Sequence, residues 1–131
     1  MRILVDTSVW IDFFRGASSH ENFLFKECLL RREPIFITGI IAQEVLQGVR
    51  DDSQHQSILN YLLLFSKIEA EFSDYLAAAR VYRSLRKRGL TIRSPVDCLI
   101  AALAIKYKVS LLHKDSDFTL ISQYFPLSTV P

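Results

Sequence analysis

The stretch Val96 to Ile105, VDCLIAALAI, constrains the fold more than any other part of the chain. At helical periodicity it is apolar around its whole circumference, so a helix formed here must be covered on every side by further layers of structure. Ser94 offers an N-cap and Pro95 suits the first helical position, so the helix starts where the apolar run starts. Asp97 is the one charged side chain in the run. Three residues after the cap, it has capping-box spacing, which is a sufficient structural reason for an acid. Its neighbours on the same face are nevertheless Ile100, Ala101 and Ala104, and an isolated buried carboxylate is costly unless something positive meets it.

The rest of the chain supplies the layers. RILVD (2–6), PIFITG (34–39) and VSLLHKD (109–115) read as strands, with KIEA (67–70) a brief fourth. Between them lie helical patterns: TSVWIDFFR ending at Gly16, residues 20–33 stopped by Pro34, a helix capped by Thr38, residues 55–66, and residues 71–89 closed by Gly89. Alternating strands and helices predict an α/β fold in three layers, a small parallel sheet flanked by helices on both faces. With 131 residues, half of them hydrophobic, the chain suits a single domain over 1–131. Cys28 and Cys98 are far apart in apolar helical contexts and read as reduced core thiols, which leaves no zinc pair. The absence of a long apolar run and the early acid in MRILVD fit neither a membrane span nor a signal peptide, so the expected location is cytoplasmic.

Three further acids stand where a site is expected. Ligand sites in open parallel sheets form beyond the carboxyl ends of the strands; Asp6 ends the first strand and Asp115 follows the last. Glu44 falls inside the apolar arc of Ile40, Ile41, Val45 and Val49. Each has an ordinary reading: Asp6 and Asp115 as turn or cap residues, Glu44 as a glutamate reaching out from the edge of its stripe. Together they do not. Two carboxylates about 5 Å apart repel by roughly 3 kcal/mol at an effective dielectric near 20, so a converging set calls for a divalent cation. All-oxygen ligation selects Mg²⁺ or Mn²⁺, as one or two ions. Asp117 is an auxiliary ligand or water holder, and Ser8 is placed to orient Asp6.

The blocks ILVDTSVWID, AQEVLQG, LRKRGLTIRSPVDCLIAALAI and LLHKDSDF, taken in order and spacing, resemble a PIN-domain ribonuclease of the VapC toxin type. The resemblance covers nearly the whole chain. It implies a PIN fold whose metal site and catalytic acids are Asp6, Glu44, Asp97 and Asp115, with Asp117 assisting, and metal-dependent endonucleolytic cleavage of RNA leaving 5′-phosphate and 3′-hydroxyl ends. It further implies a cognate antitoxin and a homodimer. One departure is His113, where the family commonly has Thr or Ser. A metal-free route would need paired general acid and base groups, and His20, His55 and His113 show no such pairing.

A polyanionic substrate should leave a basic footprint. Arg80, Arg83, Arg86, Lys87, Arg88 and Arg93 place six of the sixteen basic residues within fourteen positions, without an acid among them. A solvated helix face whose terminal cations complement the dipole is the plain alternative. Beside the acids, Arg86, Lys87, Arg88, Arg93 and Lys114 become candidates for RNA contacts. VWIDFF (9–14) is apolar on more than one face, which suits either core or a partner groove lined by Trp10, Phe13 and Phe14. Two other functions share parts of this pattern: a phosphoacceptor receiver-like signalling domain, and a catalytically silent PIN-like binding module.

Overall fold

Leucine and β-branched side chains form the centre of the molecule. In the computed structural model, which describes residues 1–131, β1 (Ile3–Val5), β2 (Ile35–Thr38), β3 (Ser66–Ile68) and β4 (Ser110–Leu112) make an all-parallel sheet in the order β3-β2-β1-β4. Ile3 lies beside Ile35 and Ser110, and Leu4 beside Phe36 and Leu111. The central strand β1 is buried throughout, the continuous apolar run that a parallel sheet covered on both faces requires.

Seven helices connect and cover the strands: α1 (Thr7–Arg15), α2 (His20–Leu30), α3 (Gly39–Gln47), α4 (Asp52–Leu62), α5 (Phe72–Lys87), α6 (Pro95–Tyr107) and α7 (Ser116–Ser122). They pack as two sets, α1 against α2 and α3 with α4 on α3, and α5 against α6 with α7 on α6. The all-round apolar helix is α6: the residues from Asp97 to Ala104 are buried without interruption. The Thr38 hydroxyl caps α3 by accepting from the Ile41 N–H at 3.2 Å. Gly16 supplies the left-handed turn that closes α1, with φ of 67°. Both cysteines are free thiols. No helix is long and apolar enough to cross a membrane.

Boundaries moved where local chemistry outweighed periodicity. The fourth helix begins at Asp52 rather than at 55, because Asp51 is its N-cap and accepts from the Gln54 N–H at 2.8 Å. The last strand stops at Leu112, so His113, Lys114 and Asp115 form a connection into α7.

This topology gathers one edge. Every strand points the same way, so Asp6 leaves β1, Gly39 leaves β2 and His113 leaves β4 on the same side of the sheet. A helix that returns the chain to a parallel strand runs opposite to it, which brings the first turn of α6, and Asp97, to that edge as well.

Candidate metal centre

An open cavity of about 600 Å³ at this edge is lined by Asp6, Thr7, Ser8, Ile11, Glu44, Arg93, Ser94, Asp97, Lys114, Asp115 and Ser116. The end of β1, the first turn of α6 and the cap of α7 therefore deliver Asp6, Asp97 and Asp115 to one place, and Glu44 joins them from further along α3. Carboxylate oxygens of Asp97, Asp115 and Asp117 lie within 4.8 Å of one another. Asp6 and Glu44 line the same cavity outside that tight trio.

Asp6 is buried at the N-cap of α1, where its carbonyl accepts from the Val9 and Trp10 N–H groups. The Ser8 hydroxyl donates to Asp6 Oδ2 at 3.3 Å, the orienting contact expected for Ser8. Burial pushes the Asp6 carboxyl up to about 6, against a downward pull from the Thr7 N–H, with the Glu44 and Asp115 charges adding to the rise. Glu44 reaches the cavity from α3, and its Oε1 accepts from the Thr7 hydroxyl at 2.7 Å. Thr7 carries no signal in the sequence, because a hydroxyl beside an acid says nothing until the fold brings Glu44 across from α3.

The capping-box reading of Asp97 is overturned. Ser94 makes no side-chain cap, and its own N–H donates to Asp117 Oδ2 at 3.2 Å rather than to Asp97. The Arg93 N–H donates to the same Asp117 oxygen at 3.1 Å. Asp117, reaching in from α7, thus does the capping that the spacing assigns to Asp97. Asp97 Oδ2 is left buried with no hydrogen-bond donor. Burial, then the facing Asp117 carboxylate, then the charges of Asp6 and Asp115 push Asp97 up to about 8. An orphaned, buried oxygen within a cluster of hard oxygen donors fits a divalent cation and offers nothing to a soft metal.

Asp115 caps α7, its Oδ1 accepting from the Asp117 N–H at 2.9 Å and from Arg93 Nη2 at 3.3 Å. Arg93, one of the expected RNA contacts, therefore lies across the mouth of the acid cluster, with Nε 3.9 Å from Asp117 as well. Lys114 lines the cavity but is held by Asp12 of α1 at 2.6 Å. Arg86 approaches the Tyr82 ring at 5.7 Å and Arg88 the Tyr124 ring at 4.7 Å. His113 turns inward onto Phe118, 5.1 Å between ring centres, and burial holds its pKa below the usual histidine value.

The partner-groove expectation is corrected at Trp10, which has no exposed surface. Its ring stacks on Phe14 at 5.8 Å and meets Phe25 edge-on at 4.8 Å, so it belongs to the core, while Phe13 and Phe14 keep partial exposure. The sequence could not separate these roles, since an apolar run reads the same beneath a neighbouring helix as on a free face.

Fold and site together define a parallel α/β domain with an acid cluster at its carboxyl edge, and residues 3–123 match the PIN domain family model. The chain belongs to the PIN domain family. It is 36% identical over 123 residues to Ribonuclease VapC11 of Mycobacterium tuberculosis, covering 92% of each chain. It is 34% identical over 104 residues to Ribonuclease VapC1 of Methanocaldococcus jannaschii, covering 79% of this chain and 68% of that one. Among solved structures it resembles VapBC2 from Rickettsia felis, bound to a promoter DNA fragment, with a TM-score of 0.78 at 22% identity over 99% of this chain and 98% of that one. VapBC-1 from Haemophilus influenzae gives a TM-score of 0.75 at 18% identity, covering 99% of this chain and 97% of that one. Family membership removes the receiver-like alternative.

Proposed function

We propose that the acid cluster is a divalent-metal site for endonucleolytic hydrolysis of RNA, and that the protein is a VapC-type toxin restrained by an antitoxin. The observation that carries this reading is Asp97, buried among Asp6, Asp115 and Asp117 with one oxygen lacking any donor. Curated relatives over most of the chain are ribonucleases by name, which supports RNA as the substrate.

Asp6, Glu44, Asp97 and Asp115 would hold Mg²⁺ or Mn²⁺, one ion or two. Such an ion supplies Lewis acidity, lowering the pKa of water and neutralising charge that develops on phosphate oxygens. The protein's own groups set the geometry. Ser8 orients Asp6, Thr7 orients Glu44, and Asp117 fixes the first turn of α6, so the carboxylates are aimed before substrate arrives. Asp117 acts mainly through that fixing. The Arg93 side chain is 75% exposed and can turn from Asp115 to a scissile phosphate once a cation balances the acid. Lys114 stays at the rim. The products expected of this chemistry are 5′-phosphate and 3′-hydroxyl ends.

Two surfaces suit the protein partners. A cavity of about 440 Å³ between α1, α3 and α4 presents Ile11, Phe14, Val45, Val49 and Ile58, and we assign the antitoxin's apolar face to it. On α5, Phe72, Tyr75 and Leu76 are 79%, 54% and 47% exposed, an apolar stripe suited to a homodimer contact. The proposed location is the cytoplasm.

Cleavage of total RNA with Mg²⁺, with Mn²⁺ and with EDTA, beside a folded Asp97→Asn variant, tests the reading. Discrete fragments lost with EDTA and in the variant are expected. Fragments that persist in both would reject Asp97 as a ligand.

A further inference from the structure

The basic run ahead of α6 divides in space. Arg80, Arg83, Ser84 and Lys87 of α5 fall at i, i+3, i+4 and i+7 and so share one face, which Arg88 at the C-cap extends. They alone line an open cavity of about 500 Å³ that contains no apolar residue. None of the four cations has an acid within 4 Å, whereas Arg93 and Lys114 are both ion-paired at the acid cluster. The helix dipole accounts for cations in the last turn, Arg86 and Lys87. It does not account for Arg80 and Arg83, which lie further from the helix end than the dipole reaches.

We propose that this cradle is a second phosphate-binding site, which holds single-stranded RNA outside the metal pocket. The proposal rests on the ribonuclease reading for the identity of the polyanion. Four unneutralised cations around a hydroxyl match successive phosphates of one strand. One aromatic ring stands beside them. Tyr124 is 43% exposed with the Arg88 guanidinium stacked 4.7 Å over its ring, and the outer plane of that guanidinium is a surface on which a base can stack. The two sites also lie within one ligand's reach. Arg93 at the metal pocket follows Arg88 by five positions, so their Cα atoms are at most about 18 Å apart. The cradle therefore grips the strand a few nucleotides from the cut, and substrate length becomes a determinant of affinity.

The test compares Arg80→Gln/Arg83→Gln with the parent protein, both shown by thermal melts to fold. Binding is measured in EDTA to a labelled single-stranded RNA of about 20 nucleotides and to one of about three, across a salt series. The parent should prefer the long RNA, and the double variant should lose about tenfold of that preference. Its slope of log Kd against log salt should be shallower by about 1.4, roughly 0.7 for each phosphate that no longer meets an arginine. An unchanged slope and preference would overturn the proposal. So would tighter binding of a poly-glutamate peptide than of RNA, with the variant losing the peptide, which would give the cradle to an acidic protein. Because binding is read without metal, failure of cleavage would reject the ribonuclease reading while leaving the cradle decided by its own isotherms.

Discussion

The Thr7 hydroxyl, in the first turn of α1, donates to Glu44 Oε1 on α3 at 2.7 Å. It is the one side-chain hydrogen bond that ties Glu44 to the strand end carrying Asp6. Thr7→Val should weaken Mg²⁺ binding and lower cleavage about tenfold, roughly 1.4 kcal/mol, while costing about 1 kcal/mol or less of stability. Thr7→Ser should restore both. Calorimetric metal titration beside cleavage kinetics checks this, and a valine variant with parental metal affinity would show that Glu44 needs no orientation.

Asp97 and Asp6 predict an unusual pH dependence. Their carboxyls are raised from an ordinary 3.8 to about 8 and about 6, so in the metal-free protein the folded state keeps protons that the unfolded chain has already released. Stability should therefore fall as pH rises from about 4 through 8. Asp97→Asn removes the larger contribution and should raise the metal-free Tm at pH 8.5 by roughly 3 °C or more, even as it abolishes cleavage. Mg²⁺ should raise the parent's Tm more at pH 8 than at pH 6. Thermal melts across pH decide, and a variant less stable than the parent at pH 8.5 would contradict the account.

Asp117 should behave as a structural acid. Asp117→Ala leaves the Arg93 and Ser94 N–H groups without their acceptor, a loss of about 2–4 kcal/mol. Asp117→Asn keeps an acceptor oxygen and should cost about half as much or less. Urea denaturation midpoints measure both, and an alanine variant within about 0.5 kcal/mol of the parent would remove the capping role.

Trp10 is the only tryptophan, is fully buried, and its Nε1 has no hydrogen-bond partner. Its fluorescence should be blue-shifted and resistant to iodide in the folded protein. Trp10→Ala should cost about 3–5 kcal/mol through the cavity it leaves. Emission at the wavelength of free tryptophan would place this ring at the surface instead.

Much of the arrangement is legible in the sequence because it obeys local rules. The α6 run announces its own burial, Thr38 its cap, and Asp6 its position at a strand end, whereas Asp115 sits three residues past its strand as the cap of α7. What stays hidden depends on meetings between distant residues. Asp117 replaces Asp97 as the cap of α6 across 23 positions of sequence, and Thr7 finds Glu44 across 37. Lys114 looks free to meet phosphate until the fold sets Asp12, 102 positions away, against it. Trp10 is ambiguous for another reason: hydrophobicity records that a side chain will be covered, not what covers it.

The central claim is that the buried acids at the carboxyl edge bind a divalent cation through Asp97. Calorimetric titration of the metal-free protein with Mn²⁺ at pH 7.5, beside folded Asp97→Asn, tests it most directly. The account predicts saturable binding with release of protons in the parent, and binding at least about tenfold weaker with less proton release in the variant. Equal affinity and equal proton release in the two proteins would contradict it.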